Sequence, residues 1–139
     1  MTDAEITTAD ALAQLSFLVL RTIEQTSAAH GLSPAQARML GILRDREPLM
    51  TELGARLGLD KSSVTGLVDR AERRGLVERF RSAVDGRAIH VRLTPEGRER
   101  TARAEADFTA AIARLVSGLS AAEVAQLTTI AGRVVADAP

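Results

Sequence analysis

Two clusters of polar side chains carry chemistry that the rest of the chain lacks. The first is the run Lys61, Ser62, Ser63 and Thr65, continued at helical spacing by Gly66, Asp69, Arg70 and Arg73. The second, "RFRSAVDGRAIHVRLT" over residues 79–94, sets Arg79, Arg81, Arg87 and Arg92 around one Asp85-Gly86 pair. Short hydroxyl side chains and free backbone N–H groups at a helix start can approach phosphates and base edges, and the helix dipole favours the anion. Lys61 and Arg70 flank the hydroxyl face as phosphate anchors. Long side chains in the place of Ser62 and Thr65 would hold the helix off a groove. The chemistry on offer is nucleic-acid binding.

Catalysis has no comparable support. The chain holds no Ser/His/Asp or Cys/His constellation and no phosphate-binding glycine loop. Cysteine is absent, which excludes disulfides, thiol redox sensing and every cysteine-containing metal site. The two histidines, His30 and His90, lie far apart; His30 is expected at a helix C-terminus, where a cation suits the dipole, and His90 facing outward on a strand. Neither a metal nor a cofactor is expected.

Formal net charge is zero, yet its distribution is uneven. Residues 61–92 hold eight basic side chains against four acidic ones, a charge of +4 that the remainder balances with −4. At 139 residues and 14.8 kDa the chain is one domain's worth. Phe17, Phe80 and Phe108 are its only aromatic residues, so the core must be aliphatic and alanine-rich. No apolar run reaches the roughly 18 residues of a membrane span, and Thr2, Asp3 and Glu5 make a polar start unlike a signal peptide. A cytoplasmic protein with no membrane partner is expected.

The elements that must position the two clusters are signalled by caps and glycines. Thr7 with Asp10, Ser33 with Gln36 and Ser120 with Glu123 follow the capping-box spacing, and Pro34 and Pro95 stand at first helical positions behind Ser33 and Thr94. Gly31, Gly58 and Gly75 supply helix stops. The pattern predicts helices over 8–29, 34–46, 52–57, 61–74, 95–117 and 121–136, with strands over 76–81 and 88–94. The expected fold is mainly α, an α+β winged helix of six helices with a two-stranded β-wing between the fourth and fifth. Residues 1–139 form a single domain, in which 34–94 is the winged helix-turn-helix part and 1–33 with 95–139 supply dimerisation helices. Leu12 and Leu15 in the first helix, Ile112 and Leu115 in the fifth, and Leu127, Ile130 and Val134 in the last recur at helical spacing. A thin arm of helices cannot bury those stripes alone, which predicts an intertwined homodimer; a monomeric bundle folded back on itself is the alternative.

Within 51–77, Gly58 ends a short helix, Asp60 caps the next, and Val64, Leu67, Val68 and Ala71 form its buried stripe. The hairpin follows directly, as in a winged helix, where arginines at the tip reach the backbone or minor groove beside the major-groove contact. Asp85-Gly86 makes the turn, and Asp85 can brace the Arg87 guanidinium. The bland alternative, charges that keep an edge strand from pairing, accounts for Arg79 and Arg92 but poorly for Arg87. For Gly66, close approach to the groove and chance tolerance are both open.

The stretch "DKSSVTGLVDRAERRGLVERFRSAVDGRAIHVRLTPEG", residues 60–97, resembles the recognition helix and wing of the multiple antibiotic resistance regulator (MarR) family, including its D-x-R at Asp85 and Arg87 and the following Leu93 and Thr94. The resemblance implies a homodimeric bacterial transcription regulator on a palindromic operator of double-stranded DNA, acting as a ligand-responsive repressor. It assigns Ser62, Ser63, Thr65 and Arg70 to the major groove and its phosphates, and Asp85 and Arg87 to the wing tip. Ala71 and Gly66 depart from the larger residues common in the family. The resemblance also implies a crevice for a small aromatic or amphipathic effector near Phe17, Arg21, Met39 and Phe108. Phe17, Met39 and Phe108 equally suit a core, and Arg21 equally suits a pair across the dimer. The competing function is a winged-helix protein-interaction module without DNA binding.

Overall fold

The computed structural model describes residues 5–139; Thr2 and Asp3 lie outside the described residues. Six helices and one hairpin follow in the order α1 (Thr8–Ala29), α2 (Pro34–Leu43), α3 (Met50–Leu57), α4 (Lys61–Arg73), β1 (Val77–Arg81), β2 (Ile89–Leu93), α5 (Pro95–Leu115) and α6 (Ala121–Ala136). Local capping sets most of these ends. Ser33 and Gln36 close a reciprocal capping box on α2, as do Ser120 and Glu123 on α6. Thr7 caps α1 by accepting from the Asp10 backbone N–H, but Asp10 answers through the Thr7 hydroxyl rather than the cap's backbone. Gly58 closes α3 in the left-handed region at φ 65°.

The end of α5 at Leu115 rather than residue 117 is a local shortening, and the ends of α4, β1 and β2 shift by one residue; two further differences have a tertiary origin. Helix α2 ends at Leu43 rather than residue 46, and α3 begins at Met50 rather than 52, behind Leu49, which makes no side-chain cap. The cause is long-range pairing. Val91 N–H donates to the Pro48 carbonyl at 3.0 Å and Leu49 bridges His90, so the segment before α3 lies along β2 as a rudimentary third strand. His90 is correspondingly drawn inward: its ring stacks on Phe80 with centroids 5.2 Å apart, and Nδ1 lies 2.7 Å from the Glu47 carbonyl oxygen.

The core sits wholly in the middle of the chain. Met39, Leu40 and Leu43 of α2, Leu53 of α3, Val64, Leu67, Val68 and Ala71 of α4, and Leu76, Val77, Val91 and Leu93 of the hairpin form one buried cluster. Strands β1 and β2 pair antiparallel from Val77–Leu93 out to Arg81–Ile89. Thr94 joins this reader to the arm. Its hydroxyl donates to the Gly75 carbonyl and accepts from the Gly97 N–H, and a Cβ at Gly97 would overlap the Leu76 carbonyl. Beyond it, α1 packs on α5, while α6 buries none of its residues. Leu12, Leu127, Ile130 and Val134 are all exposed, as are Leu15 and Leu115 at 36% and 38%.

Candidate nucleic-acid interface

Helix α4 exists because Asp60 starts it. The Asp60 carboxylate accepts from the Ser63 N–H at 2.8 Å and from the Ser62 hydroxyl at 3.0 Å. Those bonds, the Ser63 N–H first, hold its pKa below the ordinary carboxylate value. The N-terminus of α4 is therefore already occupied by an anion, held by Ser62 and Ser63. The Thr65 hydroxyl bonds back to the Lys61 carbonyl at 2.7 Å. Val64, Leu67, Val68 and Ala71 bury the opposite stripe, so the small Ala71 is a packing choice rather than part of the reading face. An added Cβ at Gly66 would meet only the Arg70 guanidinium, 3.2 Å away, so nothing in the fold itself demands a glycine there.

The wing is bolted to this helix by its first arginine. Arg79 reaches Asp69 at 2.6 Å and Glu72 at 3.1 Å, and its backbone N–H donates to Glu72 as well. Asp69, a sequence candidate for DNA contact, is paired with the wing in this structure. Arg92 pairs with Glu78 at 2.7 Å and lies over the Phe80 ring. At the tip, the Ala88 N–H donates to the Asp85 carbonyl, which puts Gly86 and Arg87 at the centre of the turn, one position later than the sequence reading. Gly86 keeps a negative φ. Asp85 accepts from the Arg87 backbone N–H at 3.0 Å, not from its guanidinium, so it shapes the turn and leaves the Arg87 side chain to solvent. Arg81 closes the loop on the Gly86 carbonyl at 2.8 Å while keeping its charge.

The charges sort accordingly. Among the described residues, Arg79 and Arg92 are neutralised by carboxylates, Arg74 bonds the Gln36 side-chain oxygen, and Lys61, Arg70, Arg73, Arg81 and Arg87 form no ion pair. The local excess of +4 read from the sequence is carried by side chains that the fold leaves unpaired and exposed.

A cavity of about 480 Å³ opens where α1, α2 and α5 meet, walled by residues such as Leu20, Ile23, Leu40, Ala104 and Phe108, with Arg38 and Arg44 among its polar lining. Of the four effector-site candidates only Phe108 lines it. Met39 is fully buried in the core, Phe17 is 68% exposed, and Arg21 faces solvent on α1 outside the lining. The signal that was missed is Arg38, Arg44 and Thr101, which no local pattern connects.

A family model described as "MarR family" matches residues 30–88. The HTH-type transcriptional regulator YkoM of Bacillus subtilis is 33% identical over 105 residues, covering 75% of this chain and 68% of that protein. The chain belongs to the MarR family. The homoprotocatechuate degradative operon repressor of Escherichia coli, 31% identical, is covered to the same extent, 68% of its length, by 71% of this chain. CouR from Rhodococcus jostii RHA1, solved with p-coumaroyl-CoA, superimposes with TM-score 0.81 at 25% identity over 100% of this chain and 99% of its own. CouR bound to a 23-mer DNA duplex gives TM-score 0.78 at 27% identity, covering 93% and 92%. The six-helix order with the wing after α4 is therefore that of MarR-family regulators. Among the described residues no helix is long and apolar enough to cross a membrane.

Proposed function

We propose that this MarR-family chain is a cytoplasmic, homodimeric repressor that binds a palindromic DNA operator and is released by a small effector held in the α1–α2–α5 cavity. The observation that carries the reading is the pairing pattern on α4 and the wing. Arg79 is spent on holding the two together, while Lys61, Arg70, Arg73, Arg81 and Arg87 are left for phosphates and the groove floor. The hydroxyls of Ser62, Ser63 and Thr65 supply short polar groups toward base edges. CouR's binding of a DNA duplex and of p-coumaroyl-CoA supports both halves of the proposal.

Surface area supports the dimer. A monomer of 14.8 kDa is expected to expose roughly 7,000 Å², yet this chain exposes 9697 Å². The excess, roughly 2,700 Å² per chain, is of the size that permanent interfaces bury. It includes the apolar stripes of Leu12 and Leu15, Ile112 and Leu115, and Leu127, Ile130 and Val134 on the arm.

Footprinting over a spacing series tests the proposal. Two recognition helices related by a two-fold should need half-sites about one turn apart, roughly 34 Å or 10 base pairs. Binding should collapse when about five base pairs are inserted and recover only partly with a full turn. Equal protection at every spacing would show independent monomers. A binding constant insensitive to salt would instead favour the protein-interaction module.

A further inference from the structure

A hydroxyl on a helix that reads DNA can give or take a hydrogen bond, so Ser and Thr contact either kind of base edge. On α4 the fold has already committed the protons of Ser62 and Thr65. The Thr65 Oγ1 lies 2.7 Å from the Lys61 carbonyl oxygen, and the Ser62 Oγ lies 3.0 Å from the Asp60 carboxylate. Oxygens that close set lone pair against lone pair unless a proton lies between them. Neither a carbonyl nor an ionised carboxylate can supply it, so the proton is the hydroxyl's own. Asp60 stays ionised because the Ser63 N–H, followed by the Ser63 and Ser62 side chains, holds its pKa below the ordinary carboxylate value.

What these two oxygens keep for a partner is lone pairs alone. Ser62 is exposed and Thr65 half-buried, three residues apart and therefore on one face of the helix. The donors of that surface are a separate set, the Lys61 ammonium and the exposed guanidiniums of Arg70 and Arg73. Acceptors and donors are thus divided between different side chains. The major groove is divided in the same way: cytosine N4 and adenine N6 donate, whereas purine N7, guanine O6 and thymine O4 accept.

We infer that Ser62 and Thr65 read the exocyclic amino groups of the operator, cytosine N4 or adenine N6, and leave the acceptor edges to the cationic side chains around them. This rests on α4 being the helix that enters the groove in the proposed function. Facing guanine O6 or thymine O4, each hydroxyl would set oxygen against oxygen with no proton to share, so it selects by repulsion as well as by attraction. Donating instead would cost Ser62 its bond to a charged carboxylate, the stronger kind, and Thr65 its bond to the Lys61 carbonyl. One bond would be exchanged for another, with nothing gained.

Deleting single groups from the bases tests this. A duplex selected from a random library against the wild-type protein is resynthesised with purine for adenine or 2-pyrimidinone for cytosine, which removes the amino group. A second set carries 7-deazapurines, which remove N7. Each change is made at one position of both half-sites at a time. Affinities are measured for wild type, Ser62→Ala, Thr65→Val and Thr65→Ser, and double-mutant cycles give the coupling of each substitution to each base change, with the altered base pairing cancelling. Removing a contacted amino group should cost wild type about fivefold per half-site. In Ser62→Ala or Thr65→Val the same deletion should cost nothing further, while Thr65→Ser should keep the coupling. Whether purine or 2-pyrimidinone gives the loss tells adenine from cytosine. Neither Ser62→Ala nor Thr65→Val should couple to a 7-deazapurine. The two are read independently, so a folding defect in one leaves the other decisive. Coupling to N7, or the absence of coupling to any amino group of the half-site, overturns the inference while DNA binding stands. Failure to select any duplex overturns the operator itself, and the inference with it.

Discussion

The Nη2 of Arg79 lies 2.6 Å from Oδ1 of Asp69, so the first strand of the wing and the reading helix are held as one body. Arg79 needs no DNA contact to matter. Arg79→Ala should lower stability by about 1 kcal/mol, the scale of partly exposed ion pairs, and should weaken DNA binding while leaving its salt slope intact, because no phosphate contact is removed. Melting curves and salt-dependent binding isotherms measure both; a slope shallower by about one would place Arg79 on a phosphate.

Arg87 is the opposite case, an unpaired side chain on a turn that Asp85 shapes through the backbone. Arg87→Ala should weaken operator and random DNA together by about 1–2 kcal/mol, with a shallower salt slope. An unchanged affinity at low salt would leave the wing tip without a role in binding.

Asp60 puts a negative charge at the end of α4 that the proposed function sets against the duplex. Asparagine caps a helix about as well, so Asp60→Asn should keep α4 intact and tighten binding to random DNA several-fold. The same substitution should change the acid response. The folded-state pKa of Asp60 is depressed by the Ser63 N–H and its other bonds, so the stability it contributes is present above its ordinary pKa and lost as pH falls through the folded value. Asp60→Asn should therefore lose less stability than wild type on acidification into that range, as thermal melts across a pH series would show. Unaltered random-DNA affinity would remove Asp60 from the interface.

Gly66 separates fold from function cleanly. Alanine there meets only the flexible end of Arg70, and a helix interior gains about 1 kcal/mol from glycine to alanine. Gly66→Ala should raise the melting temperature yet weaken operator binding, the signature of a backbone that approaches the groove. Tighter folding with unaltered binding would make the glycine incidental.

Leu127 lies on the bare face of α6. Leu127→Glu should give monomers or insoluble protein, since a carboxylate buried at a dimer seam without a partner costs several kcal/mol. Sedimentation that still shows a dimer would move the interface elsewhere.

What could be read ahead of the structure was what is locally written. The capping boxes at Ser33 and Ser120 and the positive-φ glycines at 31, 58 and 75 mark helix ends through contacts three or four residues long. The start of α3 escaped because Pro48 and Leu49 are held by β2, some forty residues later, and leave no cap behind. Asp69 looked like a reader because its spacing puts it near Thr65 and Gly66; only the packing of β1 on α4 reveals Arg79 beside it. The cavity was harder still. Arg38 lies on α2 and Arg44 just past its end, Thr101 on α5 and Ile23 on α1, and Met39, adjacent to Arg38 in sequence, points into the core because successive helical residues face different ways.

The core contains no residue of α1, α5 or α6, and the last of these buries nothing within its own chain. In the proposed dimer, the bare faces of these helices depend on mass action for their shelter from water. Dilution then becomes an input: a freshly made chain should fold its middle first, with α1 docked on α5, and shelter its bare arm faces only on meeting a twin. Every arm helix is thus a gauge of how much of the protein is present, and if the operator governed the chain's own gene, that gauge would set the level at which repression begins.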